Sequence, residues 1–265
     1  MKIFNKAGWQ DVREALKNIS LPLYLAKADI RQRYRRSTLG PFWITISTGV
    51  MIGCIGVIFS SLFKAPISEF LPFLAAGLII WNFISTTLTD STNVFVNAEP
   101  IIKQLPLPLT THIFRMLSLN VYIFLHNILI FPLVLLCVKR PIGVEAFLFL
   151  PGFLLLILNL AWMSVILSIV CSRFRDLTQI VSSVLQIFFY LTPIIWLPSL
   201  LPKRASLMVL EPNPFYHLIQ IVRAPLMSQL PSISNWTVSI SLCVLGWLVA
   251  IIFFNNYRNR IAYWL

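Results

Sequence analysis

Four arginines, Arg31, Arg33, Arg35 and Arg36, stand within six residues in the stretch RQRYRRSTLGPFW, immediately before a long uncharged run that begins at Phe42. A guanidinium presents a planar fork of donors that matches phosphate oxygens, so such a cluster can hold a phosphate or diphosphate group. The same charges can instead rest on an anionic leaflet, where each Lys or Arg gains about 1 kcal/mol whatever else is bound. Lys27, Arg31 and Arg35 form one ridge at helical spacing, and Leu23, Ala26, Ile30 and Tyr34 line a neighbouring face. Asp29 and Arg33 are spaced as an i,i+4 pair. The pattern predicts a basic amphipathic interface helix over residues 20–39. Gly40-Pro41 ends it, because proline disfavours the helical region for its predecessor.

Other polar groups recur along apolar runs. Asn82, Thr86, Asp90, Asn93 and Asn97 fall on one helical line, and Asp90 lies near its end, where it can snorkel or hydrogen-bond to another helix. Gln179, Ser182, Ser183, Gln186 and Tyr190 mark a second polar face, which either lines a wet passage or packs through hydrogen bonds. His126-Asn127 sits midway along another run as polar glue between helices. Gly49, Gly53 and Gly56 form a small-residue stripe, suited to close helix packing within one subunit or between two. Trp43, Trp81 and Trp196 with Tyr190 offer flat faces for sugars, or belong to an interfacial aromatic belt. No G-x-x-x-x-G-K-[ST] cradle, H-E-x-x-H or paired-cysteine pattern is present, and His112, His126 and His217 are far apart. No catalytic site and no metal site is therefore expected. A membrane-embedded acyl- or glycosyl-transferase would need an acid or histidine cluster that the sequence lacks. A channel would show repeated pore charges or a filter.

The elements that must carry these groups are membrane spans. Hydrophobic residues make up 58% of the 265, charged residues only 11%, and the mean hydropathy is +0.82. A soluble domain carries roughly a quarter charged residues. The reading is an all-α polytopic membrane protein with six spans, at about residues 42–63, 70–92, 116–138, 146–172, 177–197 and 236–255, in a single permease-sized domain. Residues 98–112 form a cytoplasmic elbow, in which Pro100 opens a short helix and Leu105-Pro106-Leu107-Pro108 closes it. Residues 198–228 are too apolar for a free loop and predict two short re-entrant helices, near residues 200–209 and 215–227. Fifteen Lys and Arg fall on one side of this topology against six on the other, which places both termini in the cytoplasm. The same rule accounts for the net charge of +12 without nucleic acid as partner. No apolar segment in the first twenty residues reads as a cleaved signal. Cys54, Cys137, Cys171 and Cys243 read as small buried hydrophobes.

Three segments, in order, carry a resemblance. RYRRSTLGPFW, NAEPIIKQLPLP and EPNPFYHLIQIVRAPLM resemble the corresponding parts of type 2 ABC transporter permeases that export polysaccharides; the chain looks most similar to O-antigen exporters, with capsule and teichoic-acid exporters as near relatives. The resemblance implies a homodimeric permease in the bacterial inner membrane, with undecaprenyl-diphosphate-linked polysaccharide as cargo. It implies a separate ATPase subunit that holds the ATP and magnesium, so no cofactor is expected on this chain. It assigns Arg31, Arg33, Tyr34, Arg35 and Arg36 to a gate helix that meets the lipid diphosphate. Glu99, Pro100, Lys103, Gln104 and Pro106 fall on the ATPase coupling helix. Trp43, Trp81, Gln179, Ser183, Gln186, Tyr190 and Trp196 are the pore-lining candidates, and Gly49, Gly53 and Gly56 the dimer or close-packing stripe. A type 2 exporter of a small drug or lipid is the alternative.

Overall fold

The helix over Ile67–Thr92 is the one the others surround. The computed structural model describes residues 6–33, 35, 42–200 and 202–265. Among them the structure is helical throughout, without strands. In chain order the helices are α1 (Lys6–Lys17), α2 (Ser20–Arg33), α3 (Phe42–Phe63), α4 (Ile67–Thr92), α5 (Val94–Asn97), α6 (Glu99–Gln104), α7 (Leu109–Asn127), α8 (Ile130–Val138), α9 (Phe149–Arg173), α10 (Leu177–Leu191), α11 (Lys203–Leu210), α12 (Pro214–Leu226) and α13 (Ile233–Trp264).

Residues 74–81 of α4 are buried without a break, and α3, α7, α8, α9, α10 and α12 pack around it. Its centre anchors the larger apolar core, which includes Phe83, Phe124 and Phe153 with ring centroids 4.5–5.5 Å apart. A smaller core around Phe95, Ile113, Val165 and Phe254 closes the bundle at the end where α4 finishes. The first and last helices meet at that same end. α1 packs on α13 and α7, and Asp11 of α1 is paired with Arg258 of α13 at 3.0 Å.

Among the described residues five helical stretches are long and apolar enough to cross a membrane: Phe42–Phe63, Ile67–Thr92, Leu109–Val138, Val144–Arg173 and Ile233–Trp264. The sixth expected span, residues 177–197, is instead the 15-residue α10. At 1.5 Å per residue that helix is roughly 22 Å long, short of a hydrocarbon core of about 30 Å. Its end has a local cause. Thr192 takes an extended conformation, φ −88° and ψ 135°, as the residue before Pro193 is disposed to do. The chain then turns inward, and Ile194 passes level with Gly77 in α4.

The stretch expected to be re-entrant supplies α11 and α12 in the half of the bundle away from the termini. Leu218, Ile219, Ile221 and Val222 of α12 are fully buried against α4, α9 and α13. α9 approaches α12 so closely that a methyl group on Gly152 would lie 2.3 Å from the Ile221 carbonyl oxygen. The N-terminal region also differs from expectation. Two helices stand there, and α1 lies in a segment for which the sequence reading placed none.

Gly152→Ala therefore should destabilise the chain by about 1–3 kcal/mol through overpacking, seen as a lower unfolding temperature in detergent. Gly53→Ala, where an added methyl meets nothing within 4 Å, should not lower the unfolding temperature of the single subunit and should raise it slightly, since alanine is the better helix former.

Candidate functional site

The helix that follows the elbow begins without a cap of its own. α7 starts after Pro108, whose side chain can accept no hydrogen bond, so its first amides need an acceptor from elsewhere. Asp11 supplies it across 98 residues of sequence. Its carboxylate accepts from the Leu109 and Thr110 amides, each at 3.1 Å, and from the Thr110 hydroxyl at 2.7 Å. The Nε of Arg258 donates to the same carboxylate at 3.0 Å. Asp11 is 1% exposed. A charged acceptor at a helix N-terminus is favoured by the helix dipole as well as by the bonds themselves. One side chain thus joins the N-terminal helix, the C-terminal helix and the end of the elbow.

The elbow projects from this knot. Glu99 and Pro100 open α6, no residue of α6 is buried, and Gln104 at its end and Pro106 beyond it are exposed. Lys103 donates to Glu99 one turn back at 2.7 Å, and that bond holds the Glu99 carboxyl below its ordinary value. Glu99, Pro100, Lys103, Gln104 and Pro106, the residues expected to couple to an ATPase, are thereby gathered on one largely exposed stretch at the end where α1 and α13 meet.

α2 runs beside α7 with Arg31 and, just past its end, Arg35 exposed. Tyr34, Arg36 and the side chain of Arg33 lie outside the described residues. The carboxylate of Asp29 is met by Arg115 of α7, whose Nε and Nη2 donate to its two oxygens at 2.6 and 2.5 Å. This fork ties α2 to α7; the expected pairing of Asp29 with Arg33 falls on a side chain outside the described residues. Behind the fork is a cavity of about 460 Å³ lined by Asp29 and Gln32 of α2, Asp90, Asn97, His112 and Arg115. Asp90 receives a hydrogen bond from Asn120 of α7 at 3.0 Å, a contact between helices. Sequence reasoning overlooked Asp11 and Asn120 and gave Arg115 and Arg258 only a charge count.

On α10, Gln179, Ser183, Gln186 and Tyr190 are exposed along one face, Tyr190 by 58%. Trp196 folds back and donates from its indole N–H to the Tyr190 carbonyl at 3.0 Å. Trp43 is exposed at the start of α3. Trp81 is 5% exposed, wedged against Phe189 and Phe215, so its ring is part of the subunit core and not of an open face. The glycine stripe divides as well. Gly56 is pressed against Leu71 of α4, while Gly49 and Gly53 look away from crowded neighbours.

Beyond the end of α10 stands a buried arginine. Arg223 of α12 is 1% exposed, its Nη1 donates to the Pro193 carbonyl at 2.6 Å, and its guanidinium lies 4.1 Å from the Phe73 ring centroid. Asn213, at the start of α12, donates to the Thr192 hydroxyl at 2.9 Å. The broken end of α10 is thus held at two points by α12.

Among the described residues no group of His, Cys, Asp and Glu is placed to hold a metal ion. Residues 23–227 match the ABC-2 type transporter family. The chain belongs to that family. It is 25% identical over 262 residues to an O-antigen export system permease protein RfbA of Klebsiella pneumoniae, covering 91% of this chain and 93% of that one. A second Klebsiella pneumoniae RfbA is 26% identical over 75% of this chain and 77% of its own, and the Myxococcus xanthus RfbA is 23% identical over 80% and 82%. This ABC-2 permease is a multi-pass membrane transport protein and not an enzyme, and ATP hydrolysis belongs to a separate subunit.

Arg115→Lys keeps the charge but not the paired fork. It should loosen α2 from α7, with amide exchange in α2 rising by about tenfold, as the loss of one charge-assisted hydrogen bond gives. Amides in the middle of α4 should be unaffected.

Proposed function

We propose that this ABC-2 permease exports a polysaccharide linked to undecaprenyl diphosphate, most closely an O-antigen, across the bacterial inner membrane. The observation that carries the reading is the near full-length similarity to O-antigen export permeases on both sides of the comparison. The chain works as a homodimer in which the exposed faces of α3 and α10 surround the passage. The exposure of Gln179, Ser183, Gln186 and Tyr190 on α10 supports that, and so does the open side of Gly49 and Gly53 on α3.

In this reading α10 and the chain that follows complete a sixth passage, since the pairing of Asp11 with Arg258 brings both termini to one end. The fifteen-to-six division of Lys and Arg assigns that end to the cytoplasm. α6 seats in the partner ATPase. α2, with Arg31 and Arg35 exposed at the membrane edge, meets the diphosphate of the incoming lipid. Capsule or teichoic-acid polymers linked to the same lipid would engage the same groups, whereas a small drug or unmodified lipid has no use for a polar face of this length.

Depletion of the permease in its host should cause full-length polymer on undecaprenyl diphosphate to accumulate on the inner leaflet, with loss of surface polysaccharide. Extraction and gel analysis of the lipid-linked pool measures this. Surface polysaccharide at its normal level after depletion, with no accumulated lipid-linked polymer, would refute the assignment.

A further inference from the structure

The cavity behind the fork of Asp29 and Arg115 is not absorbed by the export reading. It lies at the rim of the spans: Asp90 is near the end of α4 at Thr92, and His112 is in the first turn of α7. Its volume of about 460 Å³ is that of a small-ligand site. Its polar groups carry both signs of charge. Asp90 has its Oδ2 bonded to Asn120, and its Oδ1 has no partner among the described residues. Arg115 spends Nε and Nη2 on Asp29, and its Nη1 has no partner among the described residues.

The strongest sign of an unmet partner is His112. The residue is 2% exposed and lines the cavity, yet neither ring nitrogen makes a hydrogen bond. A neutral imidazole carries one donor and one acceptor, and leaving both unmet in a buried place is costly. Val94, Met116 and Leu119 supply an apolar side to the same cavity. An anion alone would meet two carboxylates, and a cation alone would meet Arg115. A zwitterion with both charges a few bonds apart suits both.

We propose that this cavity binds the headgroup of an ethanolamine phospholipid, with the ammonium directed to Asp90 and the phosphate to Arg115 and His112. A primary ammonium can donate to the free carboxylate oxygen, which the quaternary ammonium of a choline lipid cannot do. A glycerol headgroup brings no cation and leaves the Asp90 charge unanswered. The bound lipid would sit between α2, the end of α4 and the start of α7, beside the elbow. This proposal stands independently of which cargo the permease exports.

The test uses the permease with its ATPase in nanodiscs of mixed phosphatidylethanolamine and phosphatidylglycerol, with native mass spectrometry of the lipids that survive stripping. The wild type should retain phosphatidylethanolamine in preference to phosphatidylglycerol, one molecule for each permease chain. Asp90→Asn keeps an oxygen for Asn120 but removes the charge, and should reduce that preference about tenfold, the worth of one charge-assisted hydrogen bond. His112→Ala should reduce retention of both lipids, and it decides the matter should Asp90→Asn fail to assemble. Equal retention of the two lipids by the wild type, a preference unchanged in Asp90→Asn, or retention of both lipids unchanged in His112→Ala, would overturn the proposal. Soluble phosphoethanolamine bound as tightly as the intact lipid would also overturn it.

Discussion

The structure depends on one carboxylate more than on any other polar group. Asp11 caps α7 in place of the residue that proline denies it, and Arg258 balances its charge from the last helix. Helix packing alone would leave α1, α7 and α13 free to slide, since apolar contacts are non-directional. Hydrogen bonds to a buried charge are directional, and breaking them leaves unsatisfied groups in a place water does not reach. The elbow that carries α6 is therefore anchored at its far side to both ends of the chain. A displacement of α6 would thus be felt by α7 and α13 together.

The opposite half of the bundle solves a different constraint. A helix that stops within hydrocarbon leaves its last carbonyls without partners, and such groups are tolerated there only where protein meets them. α10 stops after 15 residues; the Trp196 indole meets its Tyr190 carbonyl, and α12 holds the chain just beyond with Arg223 on the Pro193 carbonyl and Asn213 on the Thr192 hydroxyl. The arginine has no acidic partner among the described residues, and the Phe73 ring and the carbonyl together receive its charge. Gly77 leaves room for that approach, with Nη1 3.5 Å from where a methyl group would stand. Elbow and inner bundle are thus two separately fastened units joined through α4 and α9.

Much of this was legible in the residues, and the limits have physical causes. Long apolar runs announce helices, and five of the expected spans appear as membrane-length helices. The short elbow helix opened by Pro100 is also present. α10 was read too long because apolar composition continues through Ile194, Ile195 and Trp196, while the break is set by Pro193 and by tertiary partners that a run length does not report. Trp81 was read as a pore candidate because its type suits a sugar face, and its packing against Phe189 and Phe215 is a long-range fact. α1 left a signal that could have been used: Val12, Ala15 and Leu16 follow helical spacing, with acidic and basic residues between them. The link from Asp11 to Thr110, 99 residues apart, left none.

Amide hydrogen exchange on the assembled permease in Asp11→Ala tests the anchoring directly. The account predicts that Leu109 and Thr110 lose protection by about tenfold or more, as expected when a charged acceptor is withdrawn. The last turns of α13 around Arg258 should loosen with them, while residues 74–81 of α4 stay protected. Exchange at Leu109, Thr110 and the end of α13 unchanged from wild type would contradict the claim that one carboxylate ties the elbow to both termini.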